Sequence, residues 1–151
     1  MDYAFKAVTI YVDSKDNLFT VPNGISEKYG GASMEIDKIR SLDSPYTDNQ
    51  IEELLKDALS LCFSLNPNEE DTSLTPIEKF LGVKGYAKAV KDKKLIVLNW
   101  NIDEGYYITP TEKLPRKGYA HLKKYRINLG LELMKGELAK AVRDAIQLSK
   151  I

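Results

Sequence analysis

Strand-like and helix-like patterns follow one another irregularly along this chain, and that order limits its fold more than any single motif does. Regular strand–helix alternation builds parallel sheets. Strands that cluster among a few helices build an α+β domain around a largely antiparallel sheet, and that is the fold expected here. Phe5–Val12, rich in aromatic and β-branched residues, predicts a strand. Ser14-Lys15-Asp16-Asn17 is a turn signal, with Leu18–Val21 returning as the second arm of a hairpin. Pro22-Asn23-Gly24 and Gly30-Gly31 mark a loop-rich stretch, and the alternation over Met34–Ile39 suggests a short strand. Leu95–Trp100 is apolar on both faces, the pattern of a central strand. Asn101–Gly105 then turns the chain and Tyr106–Ile108 pairs back. Pro110 and Pro115 are expected to bracket a loop, and Tyr125–Leu129 to form a further strand.

Three helices and one further helical turn punctuate these strands. Ile51, Leu54, Leu55, Ala58, Leu59 and Cys62 recur at helical spacing behind Thr47, a good N-cap, with Asp48 where the helix dipole favours negative charge. This helix is expected to end near Leu65, before Asn66-Pro67. Thr75-Pro76-Ile77-Glu78 is a compact helix start: a capping threonine, a proline at the first position and the glutamate of a capping box. Gly82 stops it early, and a further helical turn is expected over Tyr86–Val90. Gly136 precedes a last helix with Leu138, Ala141, Val142, Ala145 and Leu148 on one face.

A chain of 151 residues is long enough for one domain, taken as residues 1–151, with its own core. No internal repeat is visible. The net charge of zero conceals a split: residues 1–75 carry 14 acidic and 6 basic side chains, residues 76–151 carry 8 and 16. Such asymmetry bears on partners, because clustered charge steers association. Cys62 is the only cysteine, so no internal disulfide forms and a reducing compartment fits. The longest strictly apolar run, Leu95–Leu98, is far short of the ~20 residues of a membrane helix, and the N-terminus lacks the pattern of a secretion signal. A cytoplasmic protein is expected.

Motifs for catalysis are missing. The single histidine, His121, is the one obvious candidate for acid–base work, but a structural role suits it better. Cys62 lies on the apolar side of its helix and reads as a small buried hydrophobe rather than a nucleophile. No His/Cys cluster has metal-ligand spacing, and Gly30-Gly31 lacks the Lys-Ser/Thr of a phosphate loop. No cofactor or metal is therefore expected. Glu69-Glu70-Asp71 reads as a solvated acidic loop. Of Tyr106 and Tyr107, adjacent in a strand, one is expected to pack inward and the other to face out.

The second half carries a recognisable pattern. Thr75-Pro76-Ile77-Glu78-Lys79-Phe80-Leu81-Gly82-Val83 is followed by Gly85-Tyr86 and the basic Lys88–Lys94 stretch. Then come Leu95–Trp100, Tyr107-Ile108-Thr109-Pro110-Thr111 and the closing Gly136–Ile146 helix. Over roughly residues 75–149 the chain resembles the immunity proteins of bacterial contact-dependent growth inhibition (the CdiI type). The resemblance implies a non-enzymatic protein that binds the C-terminal toxin domain delivered by a neighbouring cell, one to one, and blocks it.

Many such toxins are nucleases, which present basic surfaces to nucleic acid. An acidic surface on the immunity protein would compete for that site. Between Ser41 and Leu74 lie eight acidic residues against one basic, Lys56. Asp48, Glu52, Glu53 and Asp57 on the first helix, with Glu69, Glu70 and Asp71 in the loop, are the candidate toxin-binding residues. A rival reading is a nucleic-acid-binding module. Lys113, Arg116, Lys117, Lys123, Lys124 and Arg126, with Tyr119 and Tyr125 interleaved, suit phosphate contact and base stacking. The acidic first half argues against it unless the two halves segregate in space.

Overall fold

A computed structural model describes residues 4–26, 30–67 and 74–151. Its centre is an eight-stranded antiparallel sheet in an α+β domain. Strand β1 (Phe5–Val12) lies between β2 (Leu18–Ser26) and β5 (Lys94–Asn101), and β5 pairs in turn with β6 (Gly105–Leu114). Four short strands complete the edges. β4 (Arg40–Leu42) and β3 (Ala32–Glu35) pair with the first and last parts of β2. β8 (Ile127–Gly130) and β7 (Gly118–His121) do the same for β6.

The chain thus builds one unit twice: a long hairpin, two short strands along its outer arm, then a helix. The helices are α1 (Asp48–Leu61) and α4 (Glu137–Leu148). The same sequence interval separates Pro22 from Pro110, Asn23 from Thr111 and Thr9 from Val97. Thr9 and Val97 are paired partners, so the pseudo-twofold axis passes between them. The correspondence reaches side chains. Asn23 Oδ1 accepts the Ala7 N–H while the Thr111 hydroxyl donates to the Leu95 carbonyl, and Cys62 and Ser149 donate to the carbonyls of Ala58 and Ala145. The repeat is invisible in sequence because the matched positions share burial and hydrogen-bonding capacity rather than identity.

The two prolines explain why β2 and β6 run through stretches expected to be loops. Paired residues in an antiparallel ladder either exchange both backbone bonds or neither. The Pro22 carbonyl accepts from Ile36 N–H and that of Pro110 from Leu122 N–H, both on the outer side, where one short strand has ended and the next begins. The absent N–H groups therefore cost no bond to β1 or β5. Beyond its proline, each outer strand leaves the central pair and is bridged by the segment after a helix. Phe63 N–H donates to the Asn23 carbonyl, and Lys150 N–H to that of Thr111. The Phe63 bond also explains why α1 ends at Leu61 rather than near Leu65, since Phe63 takes φ +65° to make it.

The alternation of β1 and β5 buries both sheet faces. Val8, Ile10, Val12, Ile96, Leu98 and Ile108 pack beneath α1 and α4, against Ile51, Leu55, Ala58, Leu138, Val142 and Ala145. On the opposite face Tyr11, Phe19, Val21, Leu95 and Val97 meet Ile77, Ala89 and Val90. Ile77 and Ala89 come from two short helices, α2 (Pro76–Leu81) and α3 (Tyr86–Ala89), and Val90 is the residue that ends the second. The expected capping box of Thr75 with Glu78 is formed, and the N-cap Thr47 proves to have one as well, with Gln50. Glu78 also accepts the Gly85 N–H at 2.8 Å, tying α2 to α3, and these bonds hold its carboxyl below the usual range. Tyr106 packs toward the α1–α4 core, while Tyr107 lies under the Arg126 guanidinium, 3.6 Å from its ring centroid.

Candidate functional site

The acidic candidates on α1 occupy three different environments. Ile51, Leu55, Ala58 and Leu59 turn α1 toward the sheet, and that orientation sets where each carboxylate goes. Glu52 falls on the side facing α4 and is 7% exposed, with its Oε2 accepting the Ala139 backbone N–H at 3.3 Å. Helix α4 begins at Gly136 with no side-chain cap of its own, so Glu52 supplies from α1 the acceptor and negative charge its first turn lacks. Glu52, one of the candidate toxin-binding residues, is therefore turned inward rather than presented on an acidic surface.

Asp48, Glu53 and Asp57 are exposed. Asp48 Oδ1 accepts from Arg143 Nε at 2.9 Å, and Arg143 also donates to the Tyr46 carbonyl and stands 5.5 Å from the Tyr46 ring centroid. Asp57 is 3.6 Å from Arg40 Nε, and Glu53 accepts from Asn49 at 3.2 Å. Exposed pairs of this kind contribute little to stability, about 0–1 kcal/mol, and are readily exchanged for a partner's charges. Asp48–Arg143 and Lys79–Asp37, 3.8 Å apart, join the acidic half of the chain to the basic half. The two halves therefore interdigitate along these elements. Beside them, Asp16, Ser44, Pro45, Tyr46, Arg143, Ile146 and Gln147 line a surface pocket of about 310 Å³. Glu69, Glu70 and Asp71 lie outside the described residues.

The basic 113–126 stretch is divided. Lys113 Nζ donates to the Val90 carbonyl at 2.7 Å and the Tyr119 hydroxyl to the Lys93 carbonyl at 2.7 Å, so this part is held against the end of α3. Arg126 pairs instead with Glu104 at the β5–β6 turn, and Lys124 lies over the exposed Tyr125 ring. Of the two tyrosines interleaved in the rival reading, Tyr119 is turned inward by its hydroxyl bond and Tyr125 is exposed.

A cluster that sequence reasoning missed lies on the α2–α3 face. Tyr11, fully buried, donates its hydroxyl to Glu35 Oε1 at 3.1 Å and sits 3.0 Å from the Tyr86 hydroxyl. Tyr86 thus donates to Tyr11, and Tyr11 to Glu35. Glu35 Oε2 is buried with no hydrogen-bond partner. Burial pushes the Glu35 carboxyl up to about 7, only partly offset by the Tyr11 bond, and raises both tyrosine hydroxyls. The residues come from β1, β3 and α3, so no local spacing announces them.

Acid–base and nucleophilic chemistry find little here. His121 is exposed at the end of β7, and burial pushes the Cys62 thiol up, disfavouring the thiolate. Among the described residues no group of three or more His, Cys, Asp or Glu is placed to hold a metal, and no helix is long and apolar enough to cross a membrane.

No protein-family model matches the sequence, and no curated protein matches it. Solved structures share the fold. A protein of unknown function from Neisseria meningitidis superposes with a TM-score of 0.73 at 12% identity, over 99% of this chain and 99% of its own. A chain of the CdiA-CT/CdiI toxin and immunity complex from Yersinia pseudotuberculosis superposes with a TM-score of 0.72 at 16% identity, over 98% of this chain and 99% of that one. At these identities, what the three chains have in common is one α+β fold from end to end.

Proposed function

We propose that this protein is a non-enzymatic immunity protein. It binds the C-terminal toxin domain of a contact-dependent growth inhibition system in a one-to-one complex and neutralises it by covering the active site or the substrate surface. The observation that carries the proposal is the near-full-length fold likeness to a chain of a toxin and immunity complex. The motif resemblance over residues 75–149 points the same way from sequence.

The work of such a protein is recognition. The two-sided core anchors α1 and leaves Asp48, Glu53 and Asp57 at its surface, and Glu69, Glu70 and Asp71 follow it in sequence. A nuclease toxin carries basic groups for phosphate, and an acidic surface speeds encounter with it and selects the partner more than it adds affinity. Arg143 and Arg40, which neutralise Asp48 and Asp57 in the free protein, would be displaced or shared in the complex. The protein meets its toxin in the cytoplasm and needs no cofactor. The test is co-expression with the toxin domain encoded immediately upstream of its gene, scored by cell survival. Survival that depends on this chain supports the proposal. Death despite abundant folded protein refutes it for that pair.

A further inference from the structure

Six basic side chains with no ion pair to another described residue gather where the end of α3 meets the β6–β7 hairpin. Two separate segments build it. Residues 84–94 contribute Lys88, Lys91 and Lys93, and the hairpin contributes Lys113, Arg116 and Lys117. The Lys113–Val90 and Tyr119–Lys93 hydrogen bonds lock one segment onto the other. Lys93 Nζ also donates to the Ala89 carbonyl at 2.9 Å, so two ammonium groups are fixed at the C-terminal carbonyls of α3. Each ammonium has three N–H donors and keeps two for a ligand. Lys88, Lys91, Arg116 and Lys117 are exposed. No ion pair joins any of the six to another described residue. The carboxylates adjoining these residues in sequence are Asp92, in the turn itself, and Glu112, which points to the opposite face of β6 from Lys113, while the Glu78 carboxylate at the start of α3 is buried and engaged by Gly85 and Thr75.

We propose that this composite patch binds the phosphate backbone of nucleic acid without reading its sequence. Five of the six groups are lysines, which act as point charges rather than planar, bidentate readers of an acceptor pair. Specific protein interfaces are anchored by aromatic or large apolar side chains. None of the exposed large apolar residues falls in 84–94 or 113–119, and Tyr86 and Tyr119 are turned inward by their hydroxyl bonds. Base stacking is thereby removed and phosphate contact remains. All six residues come from the basic half, so the charge segregates locally here although it mixes around α1. The inference is independent of the toxin: a chain that protects cells but ignores nucleic acid refutes it alone.

The test is fluorescence anisotropy of the full chain with a labelled single-stranded RNA and a labelled DNA duplex across 50–200 mM salt. Four to six phosphate contacts give a slope of log K against log salt of about −3 to −5, a loss of roughly a hundredfold or more over that range. Lys88→Glu/Lys91→Glu and Arg116→Glu/Lys117→Glu should each weaken binding at least tenfold, while Lys140→Glu on α4 should leave it unchanged. The relative affinity for RNA and duplex tells which nucleic acid is preferred. Absent binding at 50 mM salt, a flat salt dependence or indifference to both double reversals would overturn the proposal. So would poly-glutamate competing as well as RNA, which would assign the patch to an acidic protein. The wild-type salt slope decides even if a reversal variant fails to fold.

Discussion

Glu52 of α1 caps α4, accepting the Ala139 backbone N–H at 3.3 Å from a helix that has no cap of its own. The two pseudo-equivalent helices are thereby tied together by a carboxylate that sequence alone assigns to the surface. Glu52→Ala should destabilise the fold by about 1–2 kcal/mol, the cost of losing a cap and leaving a buried N–H unpaired. Glu53→Ala, one residue on and exposed, should stay within about 0.5 kcal/mol. Urea unfolding of the two variants measures the contrast.

The buried Glu35 gives stability a pH dependence. Its carboxyl is raised from an ordinary 4.5 to about 7 by burial, so the folded state holds this proton more tightly than the unfolded chain does. Its contribution is most favourable below pH 4.5 and declines as pH rises to about 7, by at most about 1.4 kcal/mol per pH unit. Glu35→Gln should flatten that part of the profile and leave the variant relatively more stable at pH 8. Unfolding midpoints from pH 4.5 to 8 test this, and a variant profile parallel to wild type would exclude Glu35 as the cause.

Gly105 opens β6 at φ +78°, and a Cβ there would lie 2.1 Å from the Gly130 carbonyl oxygen. Gly118 has a similar φ of +74° with nothing within 4 Å of its Cβ position. Alanine at either position bears the left-handed strain of about 1 kcal/mol, but only Gly105→Ala also pushes β8 away from β6. The expected loss is about 1 kcal/mol for Gly118→Ala and at least twice that for Gly105→Ala, read from thermal unfolding.

If the α1 flank faces the toxin, Glu53→Lys and Asp57→Lys should slow association about tenfold at low salt and leave the folded protein intact. The dissociation rate should change less, as for charges at the rim of an interface. Stopped-flow mixing with the purified toxin domain at two salt concentrations gives both rates. Unchanged association would place the contact elsewhere.

Features written in local spacing were legible from sequence. Thr75 announces its helix because a capping box needs only residues three apart, Thr47 does so as an N-cap ahead of apolar residues at helical spacing, and Leu95–Leu98 reads as a central strand because both faces are apolar. Features that depend on a distant partner were not. Pro22 and Pro110 look like strand breakers until the outer neighbours are known, and the direction of Glu52 depends on where α4 lies. Tyr11, Glu35 and Tyr86 meet only after β1, β3 and α3 assemble. The stretch from Lys113 to Arg126 seemed one basic ribbon, but β7 and the turn after it send its two ends to different sites.

The most direct test of the central claim is mixing the purified chain with the toxin domain encoded beside it. Complex mass and residual toxin activity are measured in the same samples. The account expects a stable one-to-one complex in which toxin activity falls in proportion to complex formed. Toxin that stays fully active in the presence of excess folded chain, with no complex detected, would contradict it.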